Sequence, residues 1–137
     1  MDIAEFEGIL HAGESSTVEF KRCGGNPEHD TYETICSFAN HAGGSIFLGV
    51  KDDGTVLGVP NKSALSIERN IANVTGQPQS FSPTLFVETE RFQYDGKTVI
   101  RIWVPPTSSV FRYKGQIWDR VADADRRIDG EMQITQM

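Results

Sequence analysis

The stretch Ile35-Cys-Ser-Phe-Ala-Asn-His-Ala-Gly-Gly-Ser-Ile-Phe-Leu-Gly-Val50 decides the fold, because it passes from a helical period to a strand across a pair of glycines. On its N-terminal side Tyr32, Ile35, Cys36, Phe38 and Ala39 recur at the three- and four-residue spacing that gathers apolar groups on one helix stripe. Asn26-Pro27-Glu28 offers a capping side chain, a preset φ and a negative charge, so the helix is predicted to begin near Pro27. Gly43-Gly44 supplies the left-handed residue that ends it. Residues 45–50 are then apolar on both faces, which predicts a central strand covered on each side.

Upstream, Ser16-Thr-Val-Glu-Phe-Lys21 alternates, with Thr17, Glu19 and Lys21 on one face and Val18 and Phe20 on the other, as a half-buried strand does. The segment before it that holds His11 reads as a leader. Downstream, Asp53-Gly54 suits a primed turn, with residues 55–59 returning antiparallel to the central strand. A second helix is predicted over residues 63–74, its stripe formed by Ala64, Ile67, Ile71 and Val74. Hairpins follow around Asp95-Gly96 and around Lys114-Gly115, the latter joining residues 110–113 to 116–121. Asp129-Gly-Glu131 is expected to open another helix that Met137 cuts short, which suggests an N-terminal piece of a longer protein. The prediction is one α+β domain over residues 1–137, a mixed and largely antiparallel β-sheet with two to three helices.

A chain of 137 residues with eight Phe, three Tyr and two Trp can bury one core of ordinary size. The apolar run at residues 45–50 is about a third of a bilayer span, and the N-terminus lacks the basic start of a signal peptide, so a cytoplasmic protein without membrane contact is expected. Cys23 and Cys36 show no zinc spacing and are expected to be reduced. The net charge of −6 argues against a wholly basic nucleic-acid surface. Residues 97–127, however, carry +4 against −10 elsewhere, so one segment is basic within an acidic chain.

Gly96-Lys97-Thr98 resembles the end of a phosphate-binding loop, but Arg91 stands where the leading glycine belongs, and a strand follows. His11, His29 and His41 lie in no nucleophile-and-base arrangement. The acids are more informative. Glu14 and Glu19 bracket the start of the first strand, while Asp52 and Asp53 sit where the central strand leaves the sheet. Converging carboxylates would make a hard oxygen site for Mg²⁺ or Mn²⁺. The structural alternatives are that Asp53 serves the turn, Glu14 a cap, and Glu19 a pair with Lys21 or a cross-strand base.

Three ordered blocks carry a resemblance: Gly13-Glu-Ser-Ser-Thr-Val-Glu-Phe-Lys21, Ile35-Cys-Ser-Phe-Ala-Asn-His-Ala-Gly-Gly44, and Ile46-Phe-Leu-Gly-Val-Lys-Asp-Asp-Gly-Thr-Val-Leu-Gly-Val59. Together they resemble the Schlafen AlbA-type domain, and Gln116-Ile-Trp-Asp-Arg-Val121 is similar to a later block in which an aromatic strand carries an arginine. The resemblance spans about residues 8 to 131. It implies a DNA-binding domain of bacterial or archaeal transcriptional regulators. From the animal Schlafen proteins it also implies a metal-dependent endoribonuclease acting on structured RNA. Carried over, the metal-holding catalytic triad falls on Glu14, Glu19 and, of the two aspartates, Asp52. Where the family has Arg-Val-Gly-Ser, this chain has Arg120-Val-Ala-Asp123.

Three functions follow. The first is a nucleic-acid-binding module, for DNA or RNA, in which Lys21, Arg22, Arg112, Lys114 and Arg120 neutralise phosphates, with a homodimer expected to supply the groove by doubling the basic segment. The second is the divalent-metal nuclease. The third is an interaction module without nucleic acid, which the charge of −6 favours.

Overall fold

The computed structural model describes residues 1–129. Eight strands and three α-helices follow in the order α1 (Ile3–Ala12), β1 (Val18–Lys21), α2 (His29–Ala39), β2 (Gly44–Leu48), α3 (Ala64–Thr75), β3 (Phe81–Ser82), β4 (Glu88–Tyr94), β5 (Lys97–Val104), β6 (Arg112–Tyr113), β7 (Ile117–Val121) and β8 (Ala124–Ile128). The main sheet has the order β1-β2-β5-β4; β1 runs parallel to β2, and the other pairings are antiparallel. The α+β prediction therefore holds, and β2 is central, with Ile46, Phe47 and Leu48 all fully buried.

The period of two in β1 and β2 sorts side chains between two cores. Ile46, Leu48, Ile100 and Ile102 join Ile35 and Phe38 of α2 and Ile67 and Ile71 of α3 on one face. On the other face Phe20, Phe47 and Val99 meet Phe6 of α1, whose ring lies 5.3 Å from that of Phe47 and edge-on to Phe92 at 4.9 Å. The sheet is thus covered on both sides, by α1 below and by α2 and α3 above.

Asn40 explains why its position ends α2 with an amide. Its side chain accepts from the Phe111 N–H at 2.7 Å and donates to the carbonyls of Phe111 at 2.9 Å and Trp118 at 2.8 Å, tying the late strands to the helix. Gly43, at φ 76°, then turns the chain back, and its N–H donates to the Phe38 carbonyl at 2.8 Å. A Cβ there would lie 2.6 Å from the Val104 carbonyl oxygen and 2.8 Å from the Pro106 nitrogen. Gly43→Ala is expected to lose about 2 kcal/mol or more, from the left-handed φ and the backbone clash together. Urea denaturation would read this loss.

Several sequence expectations need correction. The supposed leader is α1, capped by the Asp2 carboxylate, which accepts from the Ala4 N–H at 2.8 Å. Helix α2 begins at His29 after Glu28 rather than near Pro27, and Asn26 instead accepts from the Asn70 amide at 2.7 Å. Residues 55–59 form no strand; single bridges join Val50 to Val56 and Val59 to Thr98, because the N–H groups of Leu57 and Gly58 both donate to the Gly49 carbonyl. The expected turn at Lys114-Gly115 forms, closed by the Tyr113–Gln116 bridge, but beyond it strand β6 pairs with β3 and β7 pairs with β8. The helix expected from Asp129 onward falls outside the described residues. Among the described residues, no helix is long and apolar enough to cross a membrane.

Candidate metal centre and nucleic-acid interface

Because β1 and β2 are parallel, their C-terminal ends leave the sheet at the same edge, where open α/β sheets place their ligands. Glu19 projects from β1 on the face opposite Phe20. Glu14 reaches the same place because Gly13, at φ 86°, turns the chain out of α1, and the Glu14 Oε2 accepts from the Phe20 N–H at 2.9 Å. The loop after β2 is a tight turn in which Gly54 N–H donates to the Lys51 carbonyl at 2.8 Å, and Asp53 accepts from the Thr55 N–H at 2.9 Å. Asp53 thus serves the turn, and Asp52 faces the glutamates. One carboxylate oxygen from each of Glu14, Glu19 and Asp52 lies within 4.8 Å of the others.

These acids line a cleft of about 350 Å³ together with Phe20, Lys21, Arg22, Glu28 and Asp30. Five carboxylates thus face two cations, and the Lys21 ammonium is already 3.2 Å from Asp30. The Glu19 carboxyl is pushed up to about 8, chiefly by burial and next by its hydrogen bond with Glu14. Lys21 and Arg120 pull it the other way without overcoming burial. Without a divalent cation Glu19 therefore keeps its proton near neutral pH. The donor set is all hard oxygen, and its excess negative charge is what Mg²⁺ or Mn²⁺ would neutralise, so the residues present fit such an ion.

Arg120 corrects the sequence reading. It was expected to face phosphate, yet its side chain has no exposed surface. Its Nη1 donates to Asp125 at 2.9 Å, and its Nη2 donates to Glu19 at 2.9 Å and to the Ser15 carbonyl at 3.0 Å. Its guanidinium carbon sits 4.8 Å from the centre of the Phe38 ring. Asp125 in turn accepts from Thr34 and Ser37 of α2, each at 2.5 Å. Arg120 is thus a clamp between β1, the β7–β8 hairpin and α2, and it fixes the orientation of Glu19. Sequence reasoning missed Asp125, Thr34 and Ser37. One usable signal was that Trp118, two residues before Arg120, packs against the core and so shares an inward-facing strand side with it.

The remaining predicted cations divide. Arg22, Arg112 and Lys114 are exposed and make no ion pair among the described residues, whereas Lys21 is largely covered. They do not gather with Arg120 into one surface. Arg22 is at the acidic cleft, while Lys114 occupies the turn after β6, beside His29. His41, exposed just beyond the end of α2, lies 3.7 Å from Asp119. Both cysteines are free and buried, and burial pushes the thiols of Cys23 and Cys36 up to about 11 and 12, so neither is a reactive thiolate.

A two-sided α+β sheet with a carboxylate cluster at the parallel strand ends defines the class. The family model described as Schlafen, AlbA_2 matches residues 14–129, and the chain belongs to that family. The fold is similar to a solution structure of the N-terminal domain of a RecG-related protein from Nitrosomonas europaea, named in relation to an ATP-dependent DNA helicase. That likeness has TM-score 0.61, with 24% identity over 96% of each chain. It is also similar to the DIP2311 protein from Corynebacterium diphtheriae, with TM-score 0.59, 19% identity and 93% of this chain covered. This chain spans only 26% of that second protein.

Proposed function

We propose that this chain is a nucleic-acid-binding domain whose acidic cleft receives a backbone phosphate through a divalent cation. The observation that carries the reading is the convergence of Glu14, Glu19 and Asp52 in a cleft with an excess of carboxylates. Alone, such a cleft repels phosphate; with an ion of charge +2 it attracts it, as two-part acid and metal sites do. Arg22, Arg112 and Lys114 supply the exposed cationic contacts that position a polyanion without reading bases. Family membership and the name of the RecG-related neighbour support the same reading.

A second reading, favoured by the same triad, is endonucleolytic cleavage of structured RNA. When bound, the cation would activate an attacking oxygen and stabilise charge on phosphorus. Glu14 and Asp52 would hold it with Glu19, and Arg120 would keep Glu19 aimed at the cleft. A regulator role and pairing of two copies belong to the first reading, because a two-fold pair would double Arg112 and Lys114 on one side.

Anisotropy with duplex and hairpin oligonucleotides tests both readings. Binding should weaken linearly in log–log form as salt rises, with a slope corresponding to about two to four phosphate contacts. No binding at low salt, or a flat response, would remove the first reading. Glu19→Gln should abolish transfer-RNA cleavage, and unchanged cleavage would remove the second.

A further inference from the structure

A second cleft, of about 360 Å³, opens between the start of α2, the end of α3 and the β6 turn. Its lining includes Pro27, His29, Tyr32, Val74, Tyr113 and Lys114 and contains no carboxylate. The two clefts lie on opposite sides of one short segment, since Glu28 and Asp30 line the acidic one while Pro27 and His29 line this one.

With the His29 ring oriented as it is, the donors at the polar edge of this cleft imply one proton arrangement. An ammonium group has only donors, so Lys114 Nζ, 3.3 Å from His29 Nε2, donates to that nitrogen. A neutral His29 then carries its proton on Nδ1 and donates to the Tyr113 hydroxyl oxygen at 2.8 Å. The Tyr113 O–H proton remains unspent, and it has no acceptor among the described residues. Tyr113 is only 4% exposed, its ring held by Phe81 at 5.2 Å and Tyr32 at 5.9 Å, so the hydroxyl cannot swing away to find one. A fixed phenol donor and an ammonium with two further donors therefore face the same space.

Lys114 and Gly115 have φ 49° and 78°, and Gln116 N–H donates to the Tyr113 carbonyl at 3.0 Å, which is a type I′ turn. Asn-Gly is the low-cost pair for that turn, so asparagine would suit the left-handed first position that Lys114 holds.

We propose that this cleft holds one nucleotide unit of a bound strand, with its phosphate on Lys114 Nζ and the Tyr113 hydroxyl and its sugar or base against Pro27, Tyr32 and Val74. The strand would cross the segment at residues 27–30 between the two clefts. This deepens the nucleic-acid-binding reading and rests on it. The same chemistry occurs in a free mononucleotide, so the test separates the two sources.

Lys114→Asn suits the left-handed turn, and Tyr113→Phe keeps the ring packing, so both variants of the full chain should melt close to the parent. Anisotropy with a fluorescein-labelled single-stranded 12-mer should show each variant binding about tenfold more weakly, the loss of one charge-assisted or buried hydrogen bond. Adenosine 5′-monophosphate should compete only at millimolar concentration. Unchanged 12-mer affinity in both folded variants would overturn the assignment while leaving nucleic-acid binding intact. Micromolar binding of the mononucleotide that both variants weaken, combined with that insensitivity of the 12-mer, would assign the cleft to a free nucleotide instead. Absence of 12-mer binding by the parent chain would remove the parent reading, and this inference with it.

Discussion

Arg120→Met is expected to destabilise the protein by about 3–5 kcal/mol, the usual cost of removing one partner from a buried charge network. The guanidinium is the only cation that reaches both Glu19 and Asp125 among the described residues, and the side chains of those acids are 12% and 15% exposed. Methionine replaces the stem but leaves the nearly buried Asp125 carboxylate without its counter-charge and Glu19 without its donor. The Ser15 carbonyl and the Phe38 ring lose their partner as well. Urea denaturation reads the loss as a lower midpoint at similar slope. If Arg120 were instead a phosphate contact, stability would stay within about 0.5 kcal/mol and only oligonucleotide affinity would fall. The double variant Glu19→Gln with Arg120→Met should lose less than the sum of its parts, since the two residues share one interaction.

The second large effect is the response to a divalent cation. An ion bound only by the folded state stabilises it by about 2.7 kcal/mol at a hundredfold excess over its Kd. Mn²⁺ should therefore raise the melting temperature of the parent chain and leave Glu19→Gln nearly unmoved. The pH dependence has a definite sign. The Glu19 carboxyl, pushed from 4.5 to about 8 in the fold, holds a proton that the unfolded chain has already released across that interval. Metal-free stability should be fully present below pH 4.5 and fall as pH rises toward about 8, by an amount on the order of 2 kcal/mol after allowance for solvent reaching the cleft. Glu19→Gln should flatten that fall. Mn²⁺ uptake near pH 7 should release a proton, visible as a calorimetric enthalpy that changes with the buffer's ionisation heat. A pH-independent melting temperature and buffer-independent enthalpy would contradict the protonated Glu19.

What was legible in the sequence was what hydrophobic period and turn chemistry dictate. Phe20, Phe47, Ile46 and Leu48 went where alternation sends them, and Ala64, Ile67 and Ile71 marked α3. The candidate triad was legible as residue types, and the likeness in the three blocks selected Asp52 over Asp53. Helix α1 was hidden because Gly8 interrupts it and only Phe6 is buried, though Asp2 and the spacing Ile3, Phe6, Leu10 carried a signal. Strand β8 was hidden because Ala124-Asp-Arg-Arg-Ile128 shows no apolar alternation; its buried work is ionic, through Asp125. The direction of Arg120 depends on acids 101 residues before it and five after it, a tertiary relation that spacing along the chain does not encode.

The central claim is that a cation held by Glu14, Glu19 and Asp52 joins an acidic protein to a polyanion. Its most direct test is the affinity for one hairpin oligonucleotide, measured at fixed ionic strength in Mn²⁺ and in EDTA, for the parent chain and for Glu19→Gln. The predicted result is tighter binding in Mn²⁺ for the parent and no Mn²⁺ effect for the variant. Equal affinities in Mn²⁺ and EDTA for the parent chain would contradict the claim.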